Sequence, residues 1–423
     1  MRILFTCYPE RTHFLLMAPF AWALRTAGHD VRVACQPKLT DAVTQAGLTA
    51  VPVGSDRDLW QVVGRLKGAG ARLAPGLAEP YDTVERAPED ITLDWLREAY
   101  RVRIDAAHKM TNAPLAGALA EYARHWRPDL VVWEPLTFAG AVAAKAVGAA
   151  HARMLIGADV YGIAREHFLR LTAQRPPEDR ADPLGEWLGG YARAYGGEFT
   201  EDMVTGQFSI DLLPPSLQVH AAGLDYRSVR FTPYGGPAAV PRWLWEPPRR
   251  PRVALTLGLT VSDHGLRYPV DIQDILDAVG DLDIELVATV SDAARQRLRR
   301  VPANARLVPY VPMQALLPTC SAVIHHAGVG TLTTAAFYGV PQLALPWDVD
   351  QPLLSDRLAA QGAGLTTHST RATGQLVRTS LLRLLEDGTF RRRAQALRDE
   401  LHAVPHANGL AQELAERATA AVG

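Results

Sequence analysis

SAVIHHAGVGTLTTAAFYGVPQLALPWDVDQ, residues Ser321 to Gln351, reads as strand, glycine turn, helix and strand. The apolar run Ala322-Val323-Ile324 ends in the pair His325-His326, and a turn holding Gly328 and Gly330 follows. Thr331 opens a segment in which Leu332, Ala335 and Ala336 keep helical spacing. Gly339 stops it, and Val340-Pro341 leads into a second apolar run, Gln342 to Pro346. Glycines let backbone N–H groups come close to a ligand, and a helix N-terminus favours negative charge. A histidine at the same turn adds a donor that can become cationic. The stretch is a candidate diphosphate cradle, set against the plainer reading of a βα turn with glycines for geometry alone. Two other phosphate motifs do not fit. The dinucleotide fingerprint needs Gly or Ala three residues after Gly330, where Thr333 stands, and the Gly-Lys-Ser/Thr of a P-loop is absent.

Working outward, the 423-residue chain exceeds one typical core, so two domains are expected. Hydrophobic residues at 48% and charged residues at 21% describe a globular protein. A formal net charge of −1 points to neither nucleic acid nor an anionic membrane as partner. Cys7, Cys35 and Cys320 are scattered without metal-ligand spacing, as in a reducing compartment. Arg2-Ile3-Leu4-Phe5 enters a strand directly and no run of about 18 apolar residues occurs, so the expected location is the cytoplasm.

Strands alternate with helices from the start. Arg2 to Cys7 reads as a buried strand, Tyr8 to His13 as a loop and Phe14 to Ala27 as a helix; Asp30 to Cys35, Val51 to Val53 and Pro128 to Trp133 add strands. Such alternation predicts parallel, doubly wound sheets. No glycine fingerprint follows the first strand, so the nucleotide is not expected there, while the Tyr8–His13 loop lies at a site mouth. The irregular span Ser55 to Met110, with Trp60, Trp95 and Tyr100, is expected to form loops and helices bordering a ligand cleft. Arg165 to Phe208, charged and broken by Pro176-Pro177 and Gly196-Gly197, reads as a mobile excursion or a partner surface. Six prolines between Thr232 and Pro251 mark a linker. Beyond it, Arg252 to Leu257, Glu285 to Val290, Ala305 to Pro309, Ala322 to Ile324 and Gln342 to Leu345 read as a second sheet.

The whole string H-x-G-x-G-T, helix, G-V-P, apolar strand, P and D-Q resembles the nucleotide-sugar signature of family 1 glycosyltransferases. Further matching runs are Trp22-Ala23, Ala27-Gly28-His29, Leu39-Thr40-Asp41, Gly47 to Gly54 (GLTAVPVG), Arg127 to Phe138 (RPDLVVWEPLTF), Thr256-Leu257-Gly258 and Val311 to Cys320 (VPMQALLPTC). They are closest to the actinobacterial enzymes of the erythromycin desosaminyltransferase type, which attach deoxysugars to polyketide antibiotics. The resemblance implies the α/β GT-B fold, two Rossmann-like doubly wound domains facing each other across a cleft. It places an acceptor domain at 1–231, the linker at 232–251, a nucleotide-sugar domain at 252–404 and a last helix, 405–423, packed back on the first domain.

The same resemblance implies the roles. His326, Gly328, Val329, Gly330 and Thr331 would hold the diphosphate, and the loop Thr256 to Thr260, with Gly258, would close over it. Tyr310 and Val311 would carry the base, and Asp350 with Gln351 would hold the sugar hydroxyls. Thr334 stands where plant relatives place a glutamate that grips both ribose hydroxyls, which suits thymidine rather than uridine diphosphate. His13 would be the base for an inverting transfer to a hydrophobic polyketide-like acceptor, with Glu134 a candidate to orient it. Asp348-Val349-Asp350 has the D-x-D form of a metal motif, as do Asp56-Arg57-Asp58 and Asp281-Leu282-Asp283, so the pattern is cheap. Neither metal nor cofactor is expected, the TDP-sugar being a co-substrate. The protein partners considered are an auxiliary activator resembling a haem-less cytochrome monooxygenase and a second copy of the chain. The rival readings are a nucleotide-sugar 2-epimerase and a non-catalytic protein with a relic donor site; a dehydrogenase lacks its fingerprint.

Overall fold

The computed structural model describes residues 1–57, 76–258 and 268–420, with backbone alone for 415–420. Thr260 and Trp60 lie outside the described residues. Two compact units are present. The first comprises Met1–Leu212, Val219–Val229 and Pro405–Gly423; the second comprises Leu213–Gln218 and Arg230–Val404. The proline-rich segment therefore belongs to the second unit. Its Gly235 carbonyl accepts the Tyr310 hydroxyl at 3.0 Å, and Leu244 is buried in a core with Val311, Leu316 and Val323.

In the first unit, among the described residues, the strands are β1 (Arg2–Thr6), β2 (Asp30–Cys35), β3 (Thr49–Pro52), β4 (Leu130–Trp133), β5 (Ala150–Met154), β6 (Phe208–Asp211) and β7 (Tyr226–Ser228). All pair in parallel in the order β3-β2-β1-β4-β5-β6-β7. The second unit holds β8 (Arg252–Thr256), β9 (Glu285–Thr289), β10 (Ala305–Val308), β11 (Ala322–His325), β12 (Gln342–Ala344) and β13 (Gly364–Thr366). Their order is β10-β9-β8-β11-β12-β13, again parallel. Continuous apolar runs such as Ile3–Phe5 and Leu130–Trp133 are buried because helices cover both faces of such sheets. In each sheet the chain winds outward, returns and winds the other way. The crevice at that reversal, beyond the strand ends, is where doubly wound sheets bind ligands. It falls between β1 and β4 in one unit and between β8 and β11 in the other.

Several expectations need correction. The helix after β1 spans Arg11–Thr26, so His13 lies in its first turn rather than in a loop, its N–H donating to the Glu10 carbonyl at 3.1 Å. The polar run Arg-Thr-His hides the helix start, because the apolar spacing begins only at Phe14. Strands β5, β6, β7 and β13 are additions to the sequence-based expectation. β5 reads AHARM, and its His151 and Arg153 are wholly buried. Arg153 Nη2 donates to Asp159 Oδ2 at 2.6 Å and to Ser209 Oγ at 2.9 Å, partners supplied by later elements. Arg165–Phe208 is no excursion. The helices Val160–Ala173 and Pro183–Ala194 lie within or across it, and the Arg165 guanidinium is fully buried. It donates to Asp182 (2.9 and 2.6 Å) and to Glu201 (2.6 and 2.8 Å). Desolvating a guanidinium is tolerable only with bonds of this quality.

The last helix, Ala407–Ala420, packs on the helix Arg11–Thr26 within the first unit, with Leu410 and Ala411 buried. Among the described residues, no helix is long and apolar enough to cross a membrane.

Candidate active site

In the first unit the β1/β4 crevice brings His13 to Glu134. Glu134 directly follows β4 and is wholly buried. Burying a carboxylate demands donors, and three are present. Oε1 accepts the Tyr8 N–H at 2.8 Å and the Thr137 hydroxyl at 2.6 Å, while Oε2 accepts the Leu136 N–H at 3.0 Å. The same Oε2 lies 3.9 Å from His13 Nδ1. That Nδ1 is buried and has no hydrogen-bond partner, although 22% of the side chain is exposed. The open edge of the ring is therefore the other one. At 3.9 Å the pair is an electrostatic contact rather than a hydrogen bond. The carboxylate favours a proton on Nδ1 and leaves Nε2 able to accept one. Tyr8 packs against the ring, centroids 5.3 Å apart.

The turn that carries Glu134 is clamped by Asn112, a residue no sequence signal singles out. Its Nδ2 donates to the carbonyls of His108 and Leu136, both at 2.9 Å, and its Oδ1 accepts the Ala139 N–H at 2.9 Å. The bond that matters spans two elements far apart in the chain, so only the fold reveals it.

In the second unit, β11 delivers His325 and His326 beside the end of β8, where His325 pairs with Thr256. The His326 imidazole is wedged between two glycines. A Cβ on Gly258, whose φ is +81°, would sit 2.6 Å from its Nε2, and a Cβ on Gly328 would sit 2.3 Å away. Both glycines are required by this close approach, not by loop flexibility. Tyr268, missed in the sequence, meets the ring edge-on with centroids 6.2 Å apart. Its hydroxyl donates to the Leu345 carbonyl at 2.6 Å; burial, and then the Asp348 charge, push its pKa far up. Withdrawal from water also pushes His326 down to about 4, against an upward pull from the Thr256 backbone. At neutral pH burial therefore favours the uncharged imidazole in the unliganded site, and becoming cationic would need a bound anion. The helix Val329–Tyr338 starts at Gly328 with no side-chain cap, so Val329, Gly330 and Thr331 present its uncapped first turn.

The remaining candidates divide. Gln351 Oε1 accepts from the N–H groups of Trp347 (3.1 Å) and Asp348 (3.3 Å), which leaves its amide nitrogen to offer. Asp350 precedes the helix Gln351–Gln361 without capping it. Asp348 Oδ1 accepts the Val349 N–H at 2.8 Å. Among the described residues, no group of three or more His, Cys, Asp or Glu is placed to hold a metal. Tyr310 is 37% exposed, whereas Val311 is 1% exposed and its side chain belongs to the core, so Val311 can meet a ligand only through its backbone. Thr256 is also largely buried. Thr334 is 5% exposed and donates its hydroxyl to the Gly330 carbonyl of its own helix at 2.5 Å.

Two Rossmann-like units, one with a His–Glu pair and the other with His326 between two glycines at its switch point, are what the resemblance to GT-B glycosyltransferases implies. Residues 22–258 match the N-terminal domain, and 273–417 the C-terminal domain, of the family described as erythromycin biosynthesis protein CIII-like. The chain belongs to that family. It is 44% identical to the 10-deoxymethynolide desosaminyltransferase of Streptomyces venezuelae, across 98% of this chain and 96% of that one. It is 42% identical to the tylactone mycaminosyltransferase of Streptomyces fradiae, across 99% and 93%. The crystal structure of glycosyltransferase VinC in complex with dTDP superposes with a TM-score of 0.88 at 39% identity, covering 98% of this chain and 99% of that one.

Proposed function

We propose that this glycosyltransferase moves a deoxysugar from a TDP-sugar to a hydroxyl of a polyketide-type aglycone, with inversion and without a metal ion. The observation that carries the donor reading is the His326 imidazole held between Gly258 and Gly328 at an uncapped helix start. The diphosphate accepts from His326 and from the first-turn N–H groups, and its charge favours the protonated imidazole that the free site disfavours. Tyr310 offers an aromatic face to the base, Asp350 accepts from sugar hydroxyls and the Gln351 amide donates to them. At the first unit, His13 Nε2 takes the acceptor proton as that oxygen attacks the anomeric carbon, while Glu134 faces the Nδ1 side of the ring. The bond from that carbon to the diphosphate oxygen breaks on the opposite face. Its electron pair stays with the diphosphate, whose growing charge meets the cradle. Transfer of a desosaminyl or mycaminosyl group by the relatives named above supports the choice of donor and acceptor class.

The donor reading has a direct test. Thr334 is nearly buried with its hydroxyl donating to Gly330, so the site has no carboxylate at this position to accept from a 2′-hydroxyl. Calorimetric titration should find dTDP bound roughly tenfold more tightly than UDP, the order of one imperfectly paired polar group. The difference should persist in EDTA. Equal affinities would remove the thymidine argument, and strict dependence on a divalent ion would reopen the D-x-D segment.

An auxiliary protein resembling a haem-less cytochrome monooxygenase is proposed from the resemblance. The Arg165 guanidinium itself would not meet such a partner, being buried and paired internally with Asp182 and Glu201. Exposed Val102 and Leu169 on first-unit helices are alternatives. Turnover should rise on adding such a protein to the purified chain, with light scattering reading both that complex and self-association. Full turnover by the chain alone, unchanged by the addition, would exclude the dependence.

A further inference from the structure

His325 is the one member of the His325-His326 pair to which the transfer chemistry gives no task. It is wholly buried, and burial, with the neighbouring His326, pushes its pKa down to about 3. It therefore stays neutral throughout the working range and cannot serve as a charged anchor. Its Nδ1 instead accepts the backbone N–H of Ala327, two residues on, at 3.0 Å. A neutral imidazole that accepts at Nδ1 carries its proton on Nε2.

Ala327 is the residue that needs holding. It has a φ of +65°, one of three positive-φ residues other than glycine among the described residues, and it is wholly buried. A side chain with a Cβ resists that region, and a buried N–H without an acceptor adds a further cost. The conformation nevertheless places Gly328 close under the His326 ring, where a Cβ would come within 2.3 Å of Nε2. A ring nitrogen accepting the N–H of residue i+2 reproduces the turn that an Asn or Asp side chain makes with its own backbone.

We infer that His325 is a positioning residue of the donor site, its Nδ1–Ala327 hydrogen bond holding Ala327 left-handed so that His326 and Gly328 face the diphosphate. The inference rests on the donor reading above for its consequence, but not for its geometry. Without the bond, Ala327 relaxes towards negative φ in part of the population, and affinity falls by the fraction of chains still competent to bind.

Three variants test it. His325→Leu keeps an apolar side chain in the buried site and removes the acceptor; dTDP binding should weaken roughly tenfold, the order of one lost hydrogen bond. His325→Asn supplies an oxygen where Nδ1 stood and should bind within about threefold of the unaltered chain. His325→Leu with Ala327→Gly makes the left-handed turn cheap again and should recover most of the lost affinity. A merely structural histidine predicts neither rescue. Hydrogen exchange at the Ala327 amide of the unliganded protein gives a second readout, with faster exchange expected in His325→Leu and protection retained in His325→Asn. Unchanged dTDP binding by His325→Leu, or an Asn variant as weak as the Leu variant, would overturn the inference. If the unaltered chain does not bind dTDP, the donor reading fails, and Ala327 exchange alone decides whether His325 holds the turn.

Discussion

His13→Ala is expected to lower single-turnover transfer by roughly 10²–10⁴-fold, the usual worth of a positioned base, while dTDP affinity stays close to that of the unaltered chain. The split follows from placement, since His13 sits in the first unit at the β1/β4 crevice and the residues proposed as the anion cradle lie in the second. Among the described residues, His13 is the histidine in ion contact with Glu134. Truncating His13 should therefore remove the proton acceptor without touching the groups proposed to bind diphosphate. Donor titration and single-turnover transfer on the same variant separate the two effects. Transfer at the unaltered rate would show that another group is the base, and that Glu134 is a structural carboxylate held by Tyr8, Leu136 and Thr137.

His326→Ala is expected to act differently, weakening dTDP and also slowing transfer by roughly 10²–10³-fold, as losing one preorganised donor to a developing anion does. In the proposed role the imidazole would donate to the bound diphosphate and more strongly to the leaving one, so both ground and transition states would lose a partner. Gly328→Ala should move in the same direction with His326 intact, because its Cβ would fall 2.3 Å from Nε2 and displace the ring. A His326→Ala variant with unchanged affinity and rate would sink the cradle reading altogether.

Much of the fold and of the proposed donor site is legible in the sequence wherever the information is local. The cradle is strand, turn and helix within one short stretch, and its glycines and His326 are neighbours in the chain as in space. Recognising two parallel sheets needs only apolar runs alternating with helical spacing. The Thr334 substitution is legible too, but its intrahelical bond to Gly330 is not.

Groups whose meaning comes from distant partners are legible only in the tertiary structure. Strand β5 is hidden because its buried side chains include His151 and Arg153, polar residues made tolerable by Asp159, Asp202 and Ser209. The Arg165 segment reads as surface for the same reason, its charge being matched by Asp182 and Glu201. The Glu134–His13 approach depends on β1 and β4 lying side by side, and the clamp by Asn112 depends on a helix far from the turn it holds. His326 can be placed from sequence, yet its uncharged state cannot, because the pKa follows from how completely packing removes water. Sequence spacing alone thus determined that two parallel sheets are present and which strand, turn and helix carry the proposed cradle, though not all of the strands. The fold decided which polar groups are buried, what compensates them and therefore which of them are free to do chemistry.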